Sequence, residues 1–244
     1  KIAVYSNLRT MKQPNNKLIL TIDDIDLYDR DAILFDPGNW LNDSCVNYCF
    51  RKISKNYESS KILLMDPTVV SMLLIQINDK EDMDEIAENL HVKDMAWIFI
   101  PITDRIDSFE TCTTHWSLLL WNSKQKSFIH LDSYGESNYH ASCRTAMKIS
   151  QLLDIEYTSV KKFACPQQSN GSDCGVYMIM FANFICSLLA KHDLILPYGE
   201  EEVYSVLMST VNERTATSFR IQTKEELLND SSVFLSKAKK KYIQ

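Results

Sequence analysis

The sequence has 244 residues, 45% hydrophobic and 24% charged, which excludes a disordered, collagen-like or low-complexity chain and suits one large domain with a sizeable core. With 26 Lys and Arg against 32 Asp and Glu the net charge is −6, which argues against a nucleic-acid footprint and leaves a protein partner as the easier match. Seven cysteines, an odd number at irregular spacings, argue for free thiols in a reducing compartment rather than a disulfide framework.

No run approaches eighteen apolar residues and no leader-like block opens the chain, so a soluble protein with neither a membrane span nor a secretory signal is expected. Lys1 is not an initiator, so the chain is read as trimmed or processed. Cys45 and Cys49 have no His pair at ligand spacing nearby, and no metal site is expected. There are only five glycines, and four of them (Gly38, Gly135, Gly171, Gly175) lie within three residues of Trp40, Asp132 or Cys174, which suggests they are kept where backbone shape demands them.

Residues 1–17 read as an N-terminal arm, and Leu18 to Ile22 as a short strand or turn. Asp36-Pro37-Gly38 is a turn signal. Beyond it, an Asn42 or Asp43 cap opens a helix with Val46, Cys49, Phe50, Ile53 and Tyr57 at helical spacing. Asp66-Pro67 starts a second helix reaching Gln76, and an acidic third covers 80–90. Ala96 to Ile100, Trp116 to Trp121 and Ser127 to Leu131 are aromatic and β-branched runs that read as three strands of one sheet. A helix follows over 138–153, a short strand near 155–160, and an all-round apolar, hence buried, helix over 174–189. Helices at 200–213 and 224–241 finish the chain. Helices, then sheet, then helices predict an α+β single domain over 1–244, with a mixed or antiparallel sheet flanked by helices.

The polar loop Pro166 to Asp173 runs directly into the apolar helix and puts Cys174 at a helix N-terminus. Backbone N–H groups and the helix dipole there favour thiolate and make the sulfur a candidate nucleophile; a small buried core cysteine is the plain alternative. A nucleophilic thiol needs a base. With a four-residue turn Asn122 to Gln125, Trp121 faces Lys126 and His115 falls opposite Asp132, close enough for the carboxylate to hold one imidazole nitrogen; a five-residue loop would put Ser133 there. His130 reads as structural, and His91, His140 and His192 as surface or cap residues. Gln168, six residues before Cys174, is a candidate oxyanion donor or an ordinary loop residue.

Gln168, Asn170, Asp173, Cys174 and Gly175 (Q-x-N-x-x-D-C-G), preceded by Thr114-His115-Trp116 and Asp132-Ser133, and by Trp40-Leu41-Asn42-Asp43 upstream, resemble the cysteine proteases specific for ubiquitin-like modifiers, the sentrin/SUMO-specific protease-like family. The motif-bearing part spans about 18–190, and the helices over 200–244 carry none of it. Thr114 to Leu119, Ser127 to Ser133, Ser137-Asn138 and Phe35-Asp36-Pro37 look more like the deneddylase branch, whereas Asn170 to Cys174 reads closer to SUMO proteases.

The resemblance implies a papain-like arrangement in a circularly rearranged α+β fold. It also implies a thiol protease that cleaves after the modifier's C-terminal diglycine: Cys174 is the nucleophile, His115 the base, Asp132 its orienter, and Gln168 with the Cys174 N–H the oxyanion site. It makes Trp40 and Trp116 the roof of a tunnel that only Gly-Gly threads, where core packing is their plain reading, and sets Asp43 near the modifier tail in competition with a helix-cap role. The implied partner is the neddylation modifier, or else SUMO, with its conjugates, and no cofactor. Neither nucleic acid nor membrane is implied; a monomer in cytoplasm or nucleus is expected. A non-catalytic modifier-binding module and an acetyltransferase on the same fold are the readings from other classes. The basic run Lys237 to Lys241 reads as a solvated helix end and Glu200 to Glu202 as a helix start.

Overall fold

The computed structural model describes residues 16–57, 61–104, 114–193 and 200–241, with only the helical backbone for residue 200 and for 237–241. Most of the N-terminal arm, Cys112, and the side chains of Lys237 to Lys241 lie outside the described residues.

A hairpin of β1 (Leu18–Ile22) and β2 (Ile25–Tyr28) opens the fold, turning at Asp23, whose φ of 54° is the left-handed conformation that Asp tolerates. After α1 (Asp29–Ile33), the Asp36-Pro37-Gly38 turn closes with Asn39 N–H donating to Asp36 O (3.3 Å), and Gly38 takes a φ of 84°. Next, α2 (Asp43–Asn56) starts on Asn42, whose side-chain oxygen accepts the Cys45 N–H (3.0 Å), so the cap is Asn42 and Asp43 is the first helical residue.

The main sheet has five strands in chain order: β3 (Ile62–Leu64), β4 (Trp97–Thr103), β5 (Trp116–Asn122), β6 (Ser127–Leu131) and β7 (Val160–Lys162). The outer pairs β3/β4 and β6/β7 are parallel and the inner pairs antiparallel, giving the mixed sheet expected. Alternation along β4 and β5 sorts side chains to two covered faces. Phe99, Leu118 and Leu120 pack with α2, α6 (Cys174–Lys191) and Leu227 of α8 (Glu213–Lys241). Ile98, Ile100, Leu119 and Trp121 pack with α3 (Pro67–Ile75), α4 (Lys80–Asn89) and α5 (Tyr139–Leu153). Each fully buried Leu, Ile or Phe contributes about 1.5–3 kcal/mol, so both faces are needed.

Three expectations are corrected. The β5/β6 ladder pairs Trp121 with Phe128 and Asn122 with Ser127, two residues from the expected register. Asn122 stays in the strand because its side chain accepts the Lys124 and Gln125 N–H groups (3.0 and 3.1 Å), and Lys126 closes the loop at a φ of 49°. A shift of two preserves which face each side chain uses. At the C-terminus, α7 (Glu200–Thr210) is followed by one long α8 beginning at Glu213, where a helix was expected only from 224. No Gly or Pro interrupts 213–241, and Asn212 caps the start by accepting the Thr215 N–H (3.1 Å) while its own N–H reaches Thr215 Oγ1 (2.9 Å). Finally, α6 does reach the length and apolarity of a span, with 18 residues at mean hydropathy 1.6, yet 61% of it is buried inside the fold as a core helix.

Candidate active site

The loop ahead of α6 is held by its own polar residues. Asn170 Oδ1 accepts the N–H groups of Ser172 (2.9 Å) and Asp173 (3.0 Å), Asn170 Nδ2 donates to Asp173 Oδ2 (2.8 Å), and Gln168 Nε2 donates to Asn170 O (2.7 Å). The small polar residues of this loop thus hydrogen-bond to one another, delivering Cys174 to the first position of α6. Asp173 stands at the N-cap without capping the helix by its side chain, so the first-turn N–H groups around Cys174 face no carboxylate from it. Cys174 is 3% exposed.

His115, just before β5, donates or accepts at Nε2 with Asp132 Oδ1 at 2.6 Å, and Asp132 lies just after β6. In the observed register the two are diagonal rather than opposite, a geometry that an imidazole and a carboxylate span. Nε2 is engaged by Asp132, and Cys174 lies close enough to the ring to favour its charged form. Burial opposes charge on His115, but the Asp132 hydrogen bond and the Cys174 contact outweigh it and raise the imidazole pKa to about 9. Burial likewise disfavours charge on Asp132, and the His115 hydrogen bond with the Asn138 and Tyr134 N–H groups reverses it, holding the carboxyl below its usual range. The arrangement stabilises an imidazolium between the Cys174 sulfur and the Asp132 carboxylate at neutral pH.

The other buried cysteines contrast with this. Desolvation pushes the Cys165 thiol up to about 12 and raises those of Cys45, Cys49 and Cys186 further. The six described cysteines are free thiols. His130 is 3% exposed and shares a hydrogen bond with Ser117 Oγ (2.9 Å); burial lowers its pKa to about 4, so it stays neutral and structural.

Gln168, His115, Gly171, Tyr134 and Asn138 line one cleft of about 270 Å³. The Ser133 hydroxyl donates to Gln168 Oε1 (2.7 Å), which fixes the amide with its nitrogen toward the Cys174 loop. Trp40 is 49% exposed and its Nε1 donates to Gly171 O (2.7 Å), tying the indole to the same loop. Trp116 is 2% exposed, donating from Nε1 to Leu41 O (2.8 Å); its ring packs on Gly175, where an added Cβ would come within 3.2 Å of both Trp116 and Leu41. One indole is therefore exposed and the other buried. Asp43 is exposed at the start of α2.

Two residues of the site escaped the sequence reasoning as supports. Asn138 is fully buried; its N–H donates to Asp132 Oδ2 (2.9 Å) and its Nδ2 to His115 O (3.2 Å), bracing both members of the pair. Asp104, at the end of β4, accepts the N–H groups of Thr114 (2.8 Å) and His115 (3.2 Å) and so fixes the entry to β5. The polar pair Ser137-Asn138 directly after the Asp132 strand was the available signal for the first; a lone Asp at a strand end gave none for the second.

The sequence model of the Ulp1 protease family, C-terminal catalytic domain, matches residues 39–194. The chain is 28% identical over 192 residues to a probable sentrin-specific protease 8 of Dictyostelium discoideum, covering 73% of this chain and 79% of that one. It is 27% identical over 171 residues to NEDD8-specific protease 1 of Arabidopsis thaliana, covering 69% and 75%. The crystal structure of the C-terminal Ulp1 protease domain in complex with the yeast ortholog of SUMO superposes with a TM-score of 0.64 at 20% identity, covering 90% of each chain, which shows a shared fold.

Proposed function

The chain belongs to the Ulp1 protease family, cysteine proteases acting on ubiquitin-like modifiers, and from that premise we propose that it is a deneddylase in which Cys174, His115 and Asp132 perform the chemistry. The observation that carries the reading is the hydrogen bond between Asp132 and His115 (2.6 Å), with Cys174 close enough to the imidazole to favour its charged form, at a helix N-terminus that the Asp173 side chain leaves uncapped. His115 takes the Cys174 thiol proton, giving a thiolate and an imidazolium, and the sulfur attacks the carbonyl carbon of the second glycine of the modifier's diglycine. The oxyanion accepts hydrogen bonds from the Cys174 N–H and the second amide hydrogen of Gln168 Nε2, whose first is taken by Asn170 O. Imidazolium His115 then gives its proton to the departing amine, leaving a thioester. Water attacks the thioester with His115 as base, and the thiol and the free modifier carboxylate are released. Asp132 stays ionised throughout and orients the ring.

In this reading Trp40 supplies the exposed wall over an extended tail, and Trp116, packed on Gly175 and bonded to Leu41 O, supplies the other. Such a passage admits residues without a Cβ, which suits a diglycine and disfavours a small acyl donor. Asp43, exposed at the start of α2, is assigned to meet a basic residue of the tail. The NEDD8-specific naming of the Arabidopsis relative supports the neddylation modifier over SUMO. The reading includes a monomer working on precursor and conjugates in cytoplasm or nucleus without a cofactor. Hydrolysis of fluorogenic C-terminal amides of NEDD8, SUMO and ubiquitin tests the choice. Turnover of the NEDD8 amide at least 100-fold faster than the others supports the proposal, and preference for SUMO replaces it with the desumoylating reading.

A further inference from the structure

Arg220 of α8 lies outside the matched family region, yet it is 2% exposed and ends at the active-site loop. Its Nε donates to Asp173 Oδ1 (2.7 Å), and Nη2 is also 2.7 Å from that oxygen. Nη1 donates to Leu34 O (3.0 Å) and Asp36 O (3.4 Å), and Nη2 to Asn39 O (2.9 Å) and Ser172 O (3.0 Å). The five N–H bonds of one guanidinium therefore join the turn that carries Trp40 to the residues directly before Cys174. No Lys could do this, because an ammonium has three donors and no planar fork.

Asp173 gives this contact its chemical meaning. Asp at an N-cap ordinarily turns its carboxylate onto the first-turn N–H groups, which here surround the reacting sulfur. In this site both carboxylate oxygens are engaged elsewhere, Oδ1 by Arg220 and Oδ2 by Asn170, and the helix is left uncapped by that side chain. A carboxylate on those N–H groups would compete with the oxyanion and repel the thiolate.

We propose that Arg220 is a positioning residue of the active site, which draws the Asp173 carboxylate off the N-terminus of α6 and fixes the Trp40 turn to the Cys174 loop. The inference rests on Cys174 being the nucleophile. It assigns α8 a part in catalysis: without Arg220 the carboxylate turns onto the first-turn N–H groups, and turnover falls more than substrate binding.

The test compares the wild type with Arg220→Gln, the double variant Arg220→Gln/Asp173→Ala, and Leu227→Ala, which weakens the packing of α8 without touching the loop. Two readouts are used: steady-state hydrolysis of a NEDD8 fluorogenic amide, and the rate of iodoacetamide alkylation of Cys174, followed on its peptide by mass spectrometry. Arg220→Gln is expected to lower kcat about 10-fold or more with KM within threefold, and to slow alkylation in parallel. The double variant, in which residue 173 neither caps nor carries charge, is expected to recover kcat at least fivefold over Arg220→Gln. Leu227→Ala is expected to lower Tm with kcat unchanged. Arg220→Gln within twofold of the wild type, a double variant no faster than the single one, or a Leu227→Ala loss equal to that of Arg220→Gln would each overturn the proposal. Should Arg220→Gln fail to fold, Arg220→Lys replaces it: a threefold or larger fall in kcat carries the proposal and a value within twofold of the wild type overturns it. Alkylation needs no modifier, so wild-type protein alkylated at Cys174 that cleaves no NEDD8 amide counts against the proposed function and leaves the Arg220 comparison readable.

Discussion

His115, just before β5, and His130, within β6, titrate in opposite directions. His115, with Asp132 and Cys174 beside it, holds its proton up to about pH 9, whereas His130, buried against a hydroxyl, refuses one down to about pH 4. The imidazolium is the proton donor to the leaving amine, so kcat/KM is expected to fall on the alkaline side with an apparent pKa near 9, read from a pH profile of amide hydrolysis. Stability follows from the same signs. The raised pKa of His115 gives stability that is complete below its unfolded value of about 6.5 and lost as pH rises through about 9. The depressed pKa of His130 gives stability present above about 6.5 and lost as pH falls through about 4. A maximum near neutrality is therefore expected in urea midpoints, and His130→Gln should flatten the acid side alone. Cys174, His115 and Asp132 could be picked out from the sequence because each is a chemical type in a telling place: a thiol at a helix start, and an imidazole and a carboxylate on paired strands. The bracing roles of Asn138 and Asp104 could not, since they depend on which groups the fold brings beside them.

The elements that deliver these residues are specified by local rules, and they fail in specific ways. Asn42 both caps α2 and donates to buried Asp31 (2.8 Å), so Asn42→Ala is expected to cost about 1–2 kcal/mol in a denaturation midpoint. Gly175 has no room for a methyl between Leu41 and Trp116, each 3.2 Å from the missing Cβ. Gly175→Ala should cost about 1–3 kcal/mol by overpacking, and should depress turnover further by moving Trp116, seen as a changed tryptophan emission. Apolar periodicity and cap residues made α2 to α6 and the three central strands readable in advance. The outer strands β3 and β7 are three residues each and paired through distant partners, so β3 gave no signal, and β7 was expected a few residues early. The hairpin register was missed because Asn122, a turn former by type, stays in the ladder and uses its side chain to build the turn.

Over the whole molecule, the matched family region ends at residue 194, but the core does not. Val203, Leu207, Val211, Ala216 and Leu227 of the last two helices and their junction are all buried, and Arg220 reaches from them into the site. A chain ended at residue 194 is expected to be insoluble or inactive, because it exposes that core and takes the Arg220 guanidinium from Asp173; a soluble, fully active fragment, measured by amide hydrolysis, would contradict this. Composition and pattern conveyed the α+β class, since they count residues in aggregate. The C-terminal helix was legible from 224 on, but its first turns from Glu213 and the role of Arg220 were not, because a single buried arginine among polar neighbours carries no periodic signal.

The central claim, that Cys174 is the nucleophile for the C-terminal glycine of a ubiquitin-like modifier, is tested most directly by covalent labelling. NEDD8, SUMO and ubiquitin, each carrying a thiol-reactive group in place of the C-terminal carboxylate, are incubated with the wild type and with Cys174→Ala. The account predicts one adduct of wild-type protein with the NEDD8 probe, mapped to Cys174 and absent from the variant. Labelling that persists in Cys174→Ala, or none with any modifier on folded wild-type protein, would contradict it.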